Sequence, residues 1–139
     1  MLTLRLKKKS DGASALTFVR ADGATTWQRQ SVAHAGFFPY HDLTHYSVES
    51  ELGFGRAFCG LVAEGWDFED FSAPWRRGPL PADAMRAEVI VGILDMDRAM
   101  AAHGETRATA ADVNTRVAAC YALRYGAAPT ELLDDDATS

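Results

Sequence analysis

His41 and His45 stand four residues apart, with Asp42 directly after the first and Glu49 four beyond the second. Imidazole and carboxylate are the side chains that hold divalent ions such as zinc. On an α-helix, residues i and i+4 share a face, so two imidazoles could converge there on one ion. Four residues rise roughly 6 Å along the axis, a span that bonds of about 2.0–2.1 Å to one metal can bridge. His41 and Glu49 are eight residues apart, or roughly 12 Å, too far for one ion to take both. Helical side chains lean toward the N-terminus, so Glu49 leans back onto His45 as a partner for its ring rather than a third ligand. A third protein ligand must come from elsewhere: Glu88 or Asp95 on a later helix, Glu64, His34 or His103.

Asp42 faces about 100° away from His41 on a regular helix. It resembles the glutamate of the His-Glu-x-x-His zinc-protease motif, the general base there, but is one methylene shorter. Asp42 and Glu49 are the candidate catalytic carboxylates. Asp42 has a second reading as the helix N-cap, which would leave His41 outside the helix. The pair of histidines has a second reading too: hydrogen-bonded side chains beside a helix start, with Glu49 as a polar partner and no metal.

The elements that must position these residues follow from periodicity. Residues 2–8 alternate Leu2, Leu4 and Leu6 with Thr3, Arg5 and Lys7, a strand with one buried face. Residues 14–20 and 24–30 are two further β-rich runs, separated by the turn signals Asp11-Gly12 and Asp22-Gly23. The first 30 residues therefore predict a three-stranded antiparallel meander. Pro39 is placed to open a helix, expected over 40–52 and ending near Gly53. A second helix is expected over 54–64. Residues 66–81 carry Trp66, Trp75, Pro74, Pro79 and Pro81 and read as a long irregular connection, the kind that often carries function. From Ala82 to His103, Met85, Val89, Ile93, Met96 and Met100 recur on a helical stripe. Thr109 with Asp112 resembles a capping box and opens a last helix over 110–125, with Val113, Val117, Cys120 and Leu123 inward. Sheet first and helices after predicts an α+β fold, about four helices packed on one face of the sheet. Residues 1–133 form a single domain in this reading, and 134–139 an acidic tail expected to be disordered.

Composition narrows the function classes. The net charge of −5 argues against nucleic acid, whose phosphates call for a basic surface. Lys7-Lys8-Lys9 reads as a solvated strand end and turn. No apolar run approaches the roughly 20 residues needed to cross a bilayer, and no signal peptide is visible, so a cytoplasmic location is expected. Cys59 and Cys120 lie among apolar neighbours and read as buried thiols. Trp66 and Trp75, near Phe68 and Phe71, either line a ligand pocket or cover the core. Arg76-Arg77 reads as an exposed pair, with an anionic substrate as the functional alternative. No phosphate-binding loop or nucleophile elbow is present.

The quintet His41-Asp42-Leu43-Thr44-His45 resembles the His-Asp-x-x-His motif of the ubiquinone-biosynthesis scaffold proteins, and the resemblance implies zinc. It spans five residues; where that family places a glutamate, after eleven intervening residues, this chain has Ala57. Phe38-Pro39-Tyr40-His41-Asp42-Leu43-Thr44-His45-Tyr46, with Gly60-Leu61-Val62-Ala63-Glu64-Gly65-Trp66, is similar to a family of small uncharacterised bacterial proteins. That similarity covers most of the chain and implies no activity.

The sequence thus points to a divalent-metal site, zinc favoured, at His41 and His45 plus a carboxylate. The function expected is metal-dependent hydrolysis of a small polar substrate. The alternative is a non-catalytic ligand- or partner-binding module whose His/Asp/Glu cluster is a hydrogen-bond network. Apolar residues on the two long helices exceed what a small sheet can cover, which predicts a two-fold homodimer.

Overall fold

Alternating apolar and polar residues form the strands β1 (Thr3–Lys8), β2 (Ser14–Val19) and β3 (Thr25–Gln30). In this computed structural model, residues 1–34 and 37–126 are described; the expected acidic tail at 134–139 lies outside them. The strands pair in the order β1-β2-β3, both pairings antiparallel. Gly12 and Gly23 take φ of +86° in the two connecting turns, the left-handed conformation that glycine adopts at no steric cost. Four helices follow: α1 (Phe38–Leu52), α2 (Phe58–Glu64), α3 (Ala82–Ala102) and α4 (Ala110–Tyr125), with a 3₁₀ turn at Phe68–Phe71 inside the 66–81 connection. The fold is α+β.

Two apolar clusters do most of the packing. Leu16 and Phe18 of β2 meet Val62 of α2, with Leu2, Leu4, Leu6, Phe58, Phe68 and Phe71 around them. Val48 of α1, Ile90, Val91 and Ile93 of α3, and Val113 and Val117 of α4 make the second cluster. Polar ties reinforce each of them. Arg20, just after β2, donates to the carbonyls of Val62 (2.8 Å), in the last turn of α2, and Trp66 (2.6 Å), just beyond it, and so fastens sheet to helix. Asp97, buried on α3, accepts from the Ala108 amide (2.9 Å) and from Arg107 Nε (2.5 Å) and so fixes the turn into α4. Thr109 and Asp112 form the expected reciprocal capping box.

Several expectations need correction. Helix α1 begins at Phe38 with Pro39 in its first turn, so Asp42 lies inside the helix and is not its N-cap; the proline's fixed φ suits that position. Helix α2 begins at Phe58 rather than 54, because residues 53–57 turn to bring Phe54 and Ala57 into the core. The expected stripe of α3 is buried only over its first part. Val89 and Ile93 are buried and Met85 half-buried, but Met96 is 56% and Met100 40% exposed, and the buried arc extends instead to Ala84, Ala87, Ile90 and Val91. Leu123, expected inward, is 89% exposed. Cys59 and Cys120 are free thiols, half-buried.

This distribution sets an order of stabilities. Ile90→Ala should destabilise the fold by about 2–5 kcal/mol, the range for truncating a buried aliphatic chain. Met96→Ala should change it by less than about 0.5 kcal/mol. Urea unfolding of both variants checks this; equal losses would contradict the packing described.

Candidate metal centre

The histidine pair is helical, so its i, i+4 geometry holds. His41 and His45 sit on one face of α1 with ring centroids 4.7 Å apart. Helix α3 packs beside them and brings up two acids. His41 Nδ1 lies 2.6 Å from Asp95 Oδ2. His45 Nδ1 lies 3.1 Å from Glu49 Oε2, one turn along α1, and His45 Nε2 lies 3.4 Å from Glu88 Oε1. One donor atom each from His41, His45 and Glu88 falls within 4.8 Å of the others, close enough to hold a metal ion. In a tetrahedral site with bonds of about 2.0–2.1 Å, donors are about 3.4 Å apart. The His45–Glu88 edge already has that length.

Behind the rings, the partners are themselves anchored. Asp95 accepts from Arg98 NH2 at 2.5 Å through its other oxygen. The other oxygen of Glu49 accepts the Cys59 amide at 2.7 Å, and Glu49 is only 4% exposed. A Cβ on Gly60 would stand 2.0 Å from the Gly55 carbonyl oxygen, so only glycine lets the first turn of α2 fold back this closely on the turn that precedes it. Asp42 accepts from Gln30 Nε2 at 2.5 Å, and Gln30 in turn accepts from Ser14 Oγ at 2.6 Å. The sheet thus reaches the site through a buried side-chain relay.

A cavity of about 210 Å³ opens beside the cluster, lined by His41, Asp42, His45 and Glu88 with Gln28, Phe38, Phe58, Phe68 and Phe71. A second, of about 300 Å³, shares His45, Phe58, Phe71 and Glu88 and adds Leu80, Ala84 and Arg124. Phe71 and Phe58 pack with ring centroids 4.6 Å apart, tilted by 48°, and form the aromatic wall common to both.

The remaining sequence candidates fall elsewhere. Glu64 is exposed and pairs with Arg56 at 3.2 Å. His103 follows the end of α3, exposed. The His34 side chain lies outside those described. Asp95 holds His41 from behind rather than joining the three clustered donors. Trp66 is buried against Phe71, and the exposed Trp75 lines a separate groove with Pro79, Leu80 and Met85. Arg77 pairs with Asp70 at 3.0 Å. Gln30 and Gln28 were missed by the sequence reading. Their signal was a polar residue at every second position of β3, Thr26, Gln28 and Gln30, where an apolar row would face a core.

Electrostatics follow from burial and pairing. Burial disfavours the His45 imidazolium, but hydrogen bonds to Glu49 and Glu88 outweigh it and raise the ring to about 9. The Asp42 carboxyl is raised by burial, which the Gln30 hydrogen bond and both histidines only partly offset. Glu88 is lowered by its hydrogen bond from His45. Burial and the Glu49 carboxylate push the Cys59 thiol well up, so it stays protonated and is no nucleophile.

Comparison with protein-family models, with characterised proteins and with solved structures finds no match in any of the three.

The His45 shift has a thermodynamic sign. Its folded value lies above the unfolded value near 6.5, so the charged ring stabilises the metal-free fold fully below pH 6.5, and that contribution is lost as pH rises toward 9. The stability advantage of metal-free wild type over His45→Gln should therefore shrink between pH 6.5 and 9. Urea unfolding at several pH values measures it; a constant difference would contradict the pairing.

Proposed function

We propose that His41, His45 and Glu88 bind one divalent ion, and that the protein is a metal-dependent hydrolase acting on a small molecule in the adjoining cavities. The observation that carries this reading is that Asp95 and Glu49 occupy the Nδ1 atoms of the two histidines. Carboxylates in that position fix ring orientation and leave Nε2 for a metal. Two imidazoles and one carboxylate are a donor set of catalytic zinc sites that keep a position open, and the His-Asp-x-x-His resemblance also favours zinc. The same set suits iron.

Bound there, the ion would supply an acidified water. The chain's own residues do the rest. Glu88 and the imidazoles hold the centre at the cavity wall. Asp42 lies on that wall, and burial raises its carboxyl above the ordinary aspartate value, the direction that a proton-transfer group needs. Gln30 keeps Asp42 pointed inward. Glu49 holds His45 from behind. The phenylalanines exclude bulk water.

A second reading has one observation of its own. Both nitrogens of His45 face carboxylates in the metal-free arrangement, so the cluster is also satisfied as a hydrogen-bond network in a non-catalytic binding module. Metal analysis of protein made without a histidine tag separates the two. The hydrolase reading expects one ion per chain, lost in His41→Ala/His45→Ala, and a Glu49→Gln affinity about 10–100-fold weaker. Asp42→Asn should keep the ion and slow turnover by about 10²–10⁴-fold. Substoichiometric metal unchanged in the double variant would favour the network.

The homodimer is part of this proposal. Met96, Met100 and Leu123 leave apolar surface outside on α3 and α4, which a two-fold partner would cover. Light scattering at micromolar concentration should give twice the chain mass of 15.1 kDa; a value at the chain mass itself would make the protein a monomer.

A further inference from the structure

We propose that the cavity between α2, α3 and α4 takes a small molecule with an apolar body and a single carboxylate, the carboxylate being received by Arg124. This rests on the metal reading above and assigns the substrate class of that site. The two cavities share the wall made by His45, Phe58, Phe71 and Glu88, so both border the same edge of the donor cluster. Their other walls differ in chemistry. The smaller one is polar, with Gln28, His41 and Asp42, and suits water and proton transfer. The larger one is mixed, with Leu80 and Ala84 beside the two phenylalanines on one side and His45, Glu88 and Arg124 on the other.

Arg124 sits in the last turn of α4. Among the described residues it makes no ion pair; it is exposed, and it lines the same cavity as Glu88. With Glu88 committed to a metal ion, no carboxylate of the cavity lining is left to balance the guanidinium. A ligand anion then fills that role. The lining holds one guanidinium and no second cation apart from His45, which matches a singly charged group. The planar fork of arginine fits a carboxylate bidentately. Phe58, Phe71 and Leu80 provide the contacts for an aryl or alkyl body. A volume of about 300 Å³ is at the small end of ligand pockets, and a phenylpropanoate-sized molecule suits it. Its reacting bond would then lie toward Glu88 and Asp42.

The test compares two probes of the same shape, 3-phenylpropanoate and the neutral 3-phenylpropanamide, titrated calorimetrically into zinc-treated, tag-free protein. The acid should bind at least tenfold more tightly than the amide. Arg124→Gln should abolish that preference, Arg124→Lys should retain part of it, and zinc content should be the same in all three proteins. Equal affinity for acid and amide, or a preference that survives in Arg124→Gln because the acid sits on the metal instead, overturns the assignment. If wild type takes up no zinc, the metal reading fails by itself. The same comparison on metal-free protein then decides Arg124: a preference lost in Arg124→Gln supports the carboxylate site, and no preference overturns it.

Discussion

Two buried carboxylates govern the arrangement of this protein. Glu49 and Asp95 are 4% and 8% exposed, and an ionised acid out of water is tolerated only when it is paired and hydrogen-bonded. Each is met on both oxygens: Glu49 by His45 and the Cys59 amide, Asp95 by His41 and Arg98. These contacts fix α1 against α3, fix the start of α2 against α1, and set the planes of both imidazoles. Removing one member would leave an unpaired charge inside the fold, so ring orientation and helix packing are one constraint.

The cavities follow from that constraint. Helix α2 is drawn to Glu49 through the Cys59 amide, and the absent side chain of Gly60 makes room for the Gly55 carbonyl in the turn that leads into it. Phe58 is carried with it onto Phe71 and His45. The aromatic wall is therefore placed by the same carboxylate that holds the ring of His45. On the other side, Gln30 links Ser14 in β2 to Asp42 in α1, which gives the sheet a direct part in shaping the site. The cluster lies where the sheet-side core meets the three-helix core.

Much of this was legible in the sequence because it depends on local patterns. Asp-Gly turns between alternating runs specify the meander, and the Thr109–Asp112 pair specifies the start of α4. The backward lean of helical side chains was enough to bring Glu49 to His45, and Glu88 was among the residues named for the third position. What was not legible depends on which face of a helix meets its neighbours. The apolar residues of α3 cover more than one arc, so periodicity alone could not show that Val89 and Ile93 would be buried with Ala84, Ala87 and Val91 while Met96 and Met100 stay outside. The start of α1 turned on whether Asp42 or the proline turn opened it. The role of Gln30 depends on a contact across 12 residues of chain, to Asp42, and no short motif marks it.

The most direct test of the central claim is a crystal structure of the zinc-soaked, tag-free protein, with diffraction recorded on both sides of the zinc absorption edge. The account predicts one anomalous peak bounded by His41 Nε2, His45 Nε2 and a Glu88 oxygen, with Asp95 and Glu49 still on the two Nδ1 atoms. No peak there, with His45 still bridging Glu49 and Glu88 in the presence of zinc, would contradict it.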